Sequence, residues 1–380
     1  MKKEEITGLR TWLEIDKKAI AYNYQIFRSL ISKKTKMLGV VKSNAYGHNL
    51  FEFAKELEKK GIDYLAVDSV VEGITLRREG VKIPILILGF TLPEMIEKAV
   101  INDLEITVSN FNYFKEIKKI NFGNKKVRIH IKVDTGMHRH GFQIEDINEV
   151  IKELKSLKAK LEVVGLYTHF ASAKNPAFPN DTKNQVSIFN AWREVFNGLG
   201  FKPICHACAT SGTILFPEAH FDMVRVGIGL YGIWPSGETK AFVQDKFALK
   251  PVLSWKTIIG EINNIKAGER IGYDFTEKLK VDSKVAVVPI GYWHGYPRAL
   301  SGIGQVLVKG QLAKVFGRIC MDIIMIDVTK IKNVKVGDEV TIIGRDNQAE
   351  ISVDDTAILL DGSSYEFVTR INPLIKRIYI

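Results

Sequence analysis

A (β/α)8 TIM barrel followed by a mostly β domain, an α/β architecture, is the fold that three features of the sequence predict. Over the first two thirds, short β-branched runs alternate with amphipathic segments, the pattern of repeated βα units around a parallel sheet. Eight such runs fall within about 230 residues, close to the ~250 that a closed barrel of eight units takes. After Phe242 the runs become closely spaced and are separated by turn signals, the texture of antiparallel strands.

The eight runs are Met37–Val41, Tyr64–Val67, Ile85–Leu88, Glu105–Val108, Val127–Val133, Leu161–Thr168, Pro203–His206 and Phe221–Ile228. Between them lie helix-like stretches: Phe51–Lys60, with Phe51, Ala54, Leu57 and Glu58 at helical spacing, then Phe111–Ile120, Ile144–Leu157 and Thr182–Leu199. The later strand-like runs are Val252–Glu261, Lys284–Ile290, Gly304–Val308, Lys314–Phe316, Ile323–Val328 and Glu339–Ile343, with a turn at Lys335-Val336-Gly337-Asp338. The expected division is a barrel domain over residues 1–242, its first dozen residues candidates for pairing with the second domain, and a β-rich domain over residues 243–380.

Composition narrows the function classes. Apolar residues make up 46% and charged residues 26% of the 380, as in ordinary globular proteins, so a disordered, collagen-like or coiled-coil chain is excluded. The net charge of +11 would suit an anionic partner, but the basic residues are scattered, densest from Lys115 to Arg128, with no aromatic-interleaved stripe; nucleic acid is not expected. The start, Met1-Lys2-Lys3-Glu4-Glu5-Ile6, has no apolar stretch behind its lysines, and no run of about 18 apolar residues occurs anywhere, so a cytoplasmic, non-membrane protein is expected. Three cysteines cannot form a disulfide framework and read as reduced thiols.

Barrel chemistry sits at the C-terminal ends of the strands, so the residue after each run carries the information. The first run opens into Lys42-Ser43-Asn44-Ala45-Tyr46-Gly47-His48. A lysine leaving a buried strand is either a solvated charge or a Schiff-base amine, because desolvation favours the neutral, nucleophilic form. The fifth run leads into Asp134-Thr135-Gly136-Met137-His138-Arg139-His140-Gly141, and Lys132 lies inside its apolar stretch, where a charge must be paired, neutralised or modified. His130, His138, His140 and Asp134 raise a metal site, but alternate strand residues point apart and His138-x-His140 is weak evidence, so no metal is expected.

The sixth run ends in Thr168-His169-Phe170, which puts an imidazole either at the same mouth or in the core. The seventh carries Cys205-His206-Ala207-Cys208; no second Cys pair exists and Cys320 is remote in sequence, so the thiols read as structural. Ala209-Thr210-Ser211-Gly212 opens a helix with small hydroxylated residues, where free amides and the helix dipole favour an anion. After the eighth run, Val226-Gly227-Ile228-Gly229 lets backbone amides approach closely, and barrels often hold phosphate between their last two loops. A lysine at one strand end with a phosphate cradle at the last two points to pyridoxal 5′-phosphate, whose aldehyde needs an amine and whose phosphate needs an anchor. Arg225 could then face the pyridine nitrogen, and a guanidinium that keeps its proton leaves that ring a weaker electron sink.

These residues resemble the alanine racemases, fold-type III pyridoxal-phosphate enzymes, and the resemblance covers almost the whole chain. Val40-Val41-Lys42-Ser43-Asn44-Ala45-Tyr46-Gly47-His48 is similar to the family's cofactor-lysine signature, and Lys132-Val133-Asp134-Thr135-Gly136-Met137 to the segment whose lysine is often carbamylated. The resemblance implies that Lys42 holds the cofactor and serves as one of two bases, and that Arg139 lies near the substrate carboxylate. By the same likeness His169 supports the cofactor ring, Arg225 faces its nitrogen, and Thr210, Ser211, Gly227 and Ile228 with Tyr365 and Tyr46 surround its phosphate. Ile271-Gly272-Tyr273 matches the segment whose tyrosine crosses a homodimer interface as the opposite base, and Ile319-Cys320-Met321-Asp322 lines that composite site. Tyr292 and Arg298 align with positions on the substrate corridor. The implied reaction interconverts L- and D-alanine, supplying D-alanine for peptidoglycan.

The chain departs from the family pattern at His138 and His140 around Arg139, at Trp293-His294, and at Ala209-Thr210 where an Asn-Ser pair is usual. A serine or broad-specificity amino-acid racemase would share every catalytic residue named. A pyridoxal-phosphate homeostasis protein has a related barrel and cofactor lysine but no β domain, and the Tyr273 and Met321 segments argue against it.

Overall fold

The computed structural model describes residues 5–380; the charged first four residues lie outside them. Contacts divide the chain into two compact units, one of residues 20–45 and 50–250, the other of the described residues up to 19 with 46–49 and 251–380. Strands are numbered along the chain, beginning with β1 (Thr11–Ile15) in the second unit.

The first unit is a closed barrel of eight parallel strands, β2 (Lys36–Val40), β3 (Tyr64–Val67), β4 (Ile85–Ile87), β5 (Glu105–Val108), β6 (Val127–Lys132), β7 (Leu161–Tyr167), β8 (Ile204–His206) and β9 (Met223–Val226). Strands β3, β4, β5 and β9 are buried at every position, as parallel strands covered on both sides must be; β3 and β4 accordingly read as unbroken apolar runs, while β5 and β9 each bury a charged residue, Glu105 and Arg225. The intervening helices bury one stripe each: the helix Leu50–Lys59 turns in Leu50, Phe53, Ala54 and Leu57, and Phe111–Lys119 turns in Tyr113, Phe114 and Ile117. Closure pairs β2 with β9 and sets Leu38 beside Arg225.

The second unit carries β10 (Leu253–Ile258), β11 (Glu261–Ile265), β12 (Arg270–Ile271), β13 (Glu277–Lys278), β14 (Ser283–Val288), β15 (Gln305–Val308), β16 (Gln311–Phe316), β17 (Ile324–Asp327), β18 (Glu339–Asp346), β19 (Ala349–Ile351) and β20 (Arg377–Tyr379). Its main sheet runs β11-β14-β17-β16-β15-β18-β10-β1-β20, while β12 and β13 form a separate hairpin. The expected strand Val252–Glu261 is two, broken at Ile259-Gly260, and the short helices Val353–Leu359 and Ser364–Thr369 are the α-helical part of this mostly β domain. Strand β1 joins this sheet antiparallel to β10, from Thr11↔Thr257 to Ile15↔Leu253, and parallel to β20. Trp255 anchors the unit, fully buried, with Tyr296 and Phe367 set edge-on at 6.4 Å. Among the described residues, no helix is long and apolar enough to cross a membrane.

Candidate active site

Lys42 lies two residues beyond the end of β2, and its Nζ is 3.1 Å from Oδ1 of Asp68, the residue that follows β3. The turn after it is left-handed: Ser43, Asn44, Ala45 and Tyr46 have φ between 50 and 55°, a conformation costing non-glycine residues roughly 1–2 kcal/mol each. Such strain persists only where the surroundings over-determine it. Here one carboxylate oxygen of Glu72 accepts from the Ser43 amide at 2.7 Å and the Asn44 amide at 3.4 Å, and its other oxygen accepts from the Asp68 amide at 2.8 Å. The Asn44 side chain in turn accepts from the Leu50 amide at 2.9 Å. Glu72 therefore ties the Lys42 loop to the Asp68 loop from the first turn of the helix Val70–Arg78.

A cleft beyond β6 and β7 is lined by Lys132, Val133, Asp134, Met137, Arg139, His140, Thr168 and His169. Asp134 shapes its floor: Oδ1 accepts from the amides of Gly136, Met137 and His138, and Oδ2 from the Gln143 side chain at 3.1 Å. Lys132 is 6% exposed, with Nζ 5.5 Å from the centre of the Tyr167 ring. Burial, and then the Arg139 and Arg225 cations, pull its ammonium down to about 8, so the neutral amine is present as a minor form, about a tenth, at pH 7. A neutral amine is the form that reacts with carbon dioxide. No metal-binding cluster of His, Cys, Asp and Glu occurs among the described residues.

Arg225 is buried and heavily committed. Nη1 donates to His206 Nδ1 at 2.9 Å, and Nη2 donates to the carbonyls of Thr168 at 2.8 Å and Ala207 at 2.9 Å, with His169 Nδ1 at 3.2 Å. These contacts all run through the two Nη nitrogens. Burial, followed by the Arg225 and Arg139 cations, drives His169 down to about 3, and burial with Arg225 likewise holds His206 well below the ordinary histidine range. An unfolded histidine takes its proton near 6.5, whereas folded His169 refuses it until about 3. The depressed folded value means that stability is fully present above 6.5 and is lost progressively as the pH falls from there toward 3. Urea midpoints should therefore drop between neutral pH and about pH 5, and less steeply in His169→Gln; equal slopes in the two proteins would contradict the burial of a neutral ring.

The loop after β8 begins the short helix Thr210–Leu215. The Thr210 hydroxyl accepts from the amides of Gly227 at 3.1 Å and Gly229 at 3.5 Å, which binds the β8 and β9 loops together and leaves its own proton free to donate. Gly229 has no space for a side chain, because an added Cβ would meet Phe27 at 2.3 Å. Ser211 and Ile228 are buried beside these groups in the sequence of the two loops.

In the second unit Tyr46 and Tyr365 stand together, their ring centres 6.1 Å apart, and burial pushes Tyr46 up to about 12. Tyr273 occupies the tip between β12 and β13, 69% exposed, in a turn held by an Arg318–Asp274 ion pair of 2.8 Å. Beneath the hairpin, Ile271, Leu279, Val285 and Phe316 form a small apolar cluster. Met321 is 55% exposed. The Tyr292 and Trp293 amides donate to the carbonyls of Cys320 and Met321, so the Gly291–Gly295 turn grips the Met321 segment. His294 Nδ1 accepts from the Gly291 amide at 3.2 Å and caps that turn, and Arg298 begins the next one.

Asp68, Glu72, Glu105 and His206 were not singled out by the sequence reading. Asp68 was accessible to the rule that found Lys42, since it is the first residue after a strand. Glu72 is visible only as a helix N-terminal carboxylate behind Ser69, with nothing local to say which amides it would reach.

A family model described as the alanine racemase N-terminal domain matches residues 15–235, and one described as the alanine racemase C-terminal domain matches residues 252–379. The chain is 38% identical over 379 residues to alanine racemase of Leptospira interrogans, covering 97% of this chain and 96% of that protein. It is 40% identical to alanine racemase of Methanococcus maripaludis, covering 97% of this chain and 98% of that one. Among solved structures, alanine racemase of Clostridium difficile 630 superposes with a TM-score of 0.91 at 34% identity, covering 98% of this chain and 96% of that one. The Bacillus anthracis alanine racemase with bound L-Ala-P gives 0.92 at 34%, covering 98% and 95%. With both domain models and full-length relatives in agreement, this chain belongs to the alanine racemase family.

Proposed function

We propose that the protein interconverts L- and D-alanine with pyridoxal 5′-phosphate held at the barrel mouth. The observation that carries this reading is the barrel constellation itself: an amine leaving β2, a fully buried guanidinium on β9 beside His169, and a Thr210-anchored pair of loops after β8 and β9. These residues fit the cofactor's three demands of an amine, a partner for the ring nitrogen and a phosphate anchor. Lys42 would hold it covalently, an Arg225 N–H outside the contacts described above would face the ring nitrogen, His169 would support the ring, and Thr210 with Ser211, Gly227 and Ile228 would take the phosphate alongside Tyr46 and Tyr365. When bound, the cofactor supplies the electron sink that acidifies the substrate α-proton.

The chain's own groups do the rest. Arg139 is positioned on the cleft to receive a carboxylate, and Lys132, carbamylated, would give that arginine a negative neighbour. Racemisation removes a proton from one face of Cα and returns one to the other, so two bases must oppose each other; Lys42 and the partner subunit's Tyr273 fill these roles in a homodimer. The exposed Tyr273, Phe275, Met321, Tyr292 and Trp293 are an aromatic-rich set of the kind found in protein interfaces. Tyr292 and Arg298 would line the corridor that substrate follows.

Borohydride reduction of the cofactor-loaded protein followed by peptide mapping should place the pyridoxyl group on Lys42; a label on any other lysine overturns the assignment. Incubation with carbon-13 bicarbonate should give a carbamate resonance that disappears in Lys132→Ala, and an unchanged resonance in that variant would remove Lys132 from the account. His140 on the cleft wall is a polar group where a hydroxylated side chain could bind, which favours L-serine as a second substrate and is checked by chiral chromatography of L-serine incubated with the cofactor-loaded protein.

A further inference from the structure

Inside the barrel lies a line of polar side chains that proton transfer at Cα does not itself use. Arg225 Nη1 donates to His206 Nδ1 at 2.9 Å, His206 Nε2 is 2.9 Å from His130 Nδ1, and His130 Nε2 is 2.7 Å from Glu105 Oε2. The other Glu105 oxygen is ion-paired with Arg128. Glu105, His130 and His206 are fully buried, and Arg225 is 3% exposed.

The proton positions follow one after another. A guanidinium can only donate, so His206 presents a bare Nδ1 and carries its proton on Nε2. That proton points at His130 Nδ1, which must also be bare, so His130 carries its proton on Nε2 and donates it to the carboxylate. Both rings are neutral, and every hydrogen bond runs the same way, from Arg225 to Glu105. Burial and the adjacent Arg225 cation disfavour a second proton on His206, in keeping with this pattern.

The line starts on β9 and β8 and ends on β6 and β5, so it has to pass β7. It does so at Gly165, which pairs with His130 just after a register shift between Ile129 and His130. A Cβ on Gly165 would lie 2.0 Å from His130 Nδ1, the atom that receives the His206 proton. Glycine at this position of β7 vacates the space through which the two imidazoles meet. The Tyr167 ring then packs parallel to His206, with centres 4.7 Å apart and 4° between planes, fixing that ring's orientation.

We propose that Glu105 is the anionic end of a one-way hydrogen-bond relay which, through His130 and His206, positions Arg225 and offsets its charge where it faces the cofactor ring. Glu105 is thus a positioning residue for the reaction, and the inference rests on the assignment of Arg225 to the cofactor. A buried ion pair is weak evidence of stabilisation, since apolar residues of similar volume often serve as well. The single direction of donation, from Arg225 at the site through His206 and His130 to Glu105, is the feature that a purely structural role leaves unused.

Ring-nitrogen NMR of the nitrogen-15 histidine-labelled enzyme, stripped of cofactor and then reloaded, tests it. The expected spectrum has His130 and His206 both bare at Nδ1 and protonated at Nε2. Glu105→Gln keeps shape and an acceptor but removes the charge; it should shift the His206 resonances, two residues away, displace the visible absorption band of the loaded enzyme, and lower kcat about tenfold with KM within about twofold. Gly165→Ala should abolish the fixed His206 tautomer; should it fail to fold, the isosteric Glu105→Gln still decides. A protonated Nδ1 on wild-type His206, or a Glu105→Gln protein with His206 resonances and visible band unchanged, overturns the proposal. The tautomers are read without cofactor, so their failure is distinct from a failure of the cofactor reading, which the Lys42 label decides.

Discussion

Lys42→Ala is expected to lose at least about 10,000-fold in racemisation in both directions, because the variant lacks both the covalent anchor for the cofactor and one of the two bases. The loss should be chemical and not structural. The only ion pair that the Lys42 side chain makes among the described residues is with Asp68, and the two side chains are 38% and 53% exposed. Pairs so exposed contribute about 0–1 kcal/mol, so the melting temperature should hardly move. The left-handed turn that follows is held through backbone amides by Glu72, not through the lysine, and should survive the substitution. Full activity in Lys42→Ala, or loss of activity accompanied by unfolding, would contradict the role given to this residue.

Tyr273→Phe removes one hydroxyl from a side chain that is 69% exposed, a change ordinarily worth within about 0.5 kcal/mol of stability. Its effect on reaction should be lopsided. Racemisation in both directions should fall by about 100- to 10,000-fold, the range for a lost general acid or base. Yet one enantiomer, the one presenting its α-hydrogen to Lys42, should still exchange that hydrogen with deuterium from heavy water and keep its configuration. The other enantiomer should exchange slowly or not at all. If both enantiomers exchange and racemise at the wild-type rate, the two-base arrangement is wrong. Mixing Tyr273→Phe with Lys42→Ala then separates a shared site from a private one: when one subunit supplies the lysine and its partner the tyrosine, reassortment leaves one intact site in each hybrid dimer and restores about a quarter of full activity. With both bases from one chain, no activity returns.

The barrel was legible because its signals are local. A strand buried on both sides shows as a largely apolar run; the residue after it is freed for chemistry, which brought Lys42 and His169 into view, and a charge inside it calls for an explanation, which brought Lys132 and Arg225. Elements that depend on distant pairing were not legible. Strand β1 is five residues whose partners lie more than two hundred positions away, and nothing in Thr11–Ile15 names them. The helices Val353–Leu359 and Ser364–Thr369 are short enough that one or two turns of periodicity do not stand out from a β background. The relay through Glu105, His130 and His206 escaped for a related reason: its members lie on three different strands far apart in sequence, and only barrel closure, with the gap at Gly165, brings their ring nitrogens and carboxylate within hydrogen-bond distance.

The central claim is interconversion of alanine enantiomers, and chiral chromatography of the purified, cofactor-loaded protein tests it most directly. L-Alanine and D-alanine are incubated separately and followed to completion. Enantiomers in an achiral solvent have equal free energy, so both reactions should converge on equal amounts of the two forms, with Lys42→Ala inert in parallel. A protein that carries the cofactor on Lys42 and leaves both enantiomers unchanged would contradict the account.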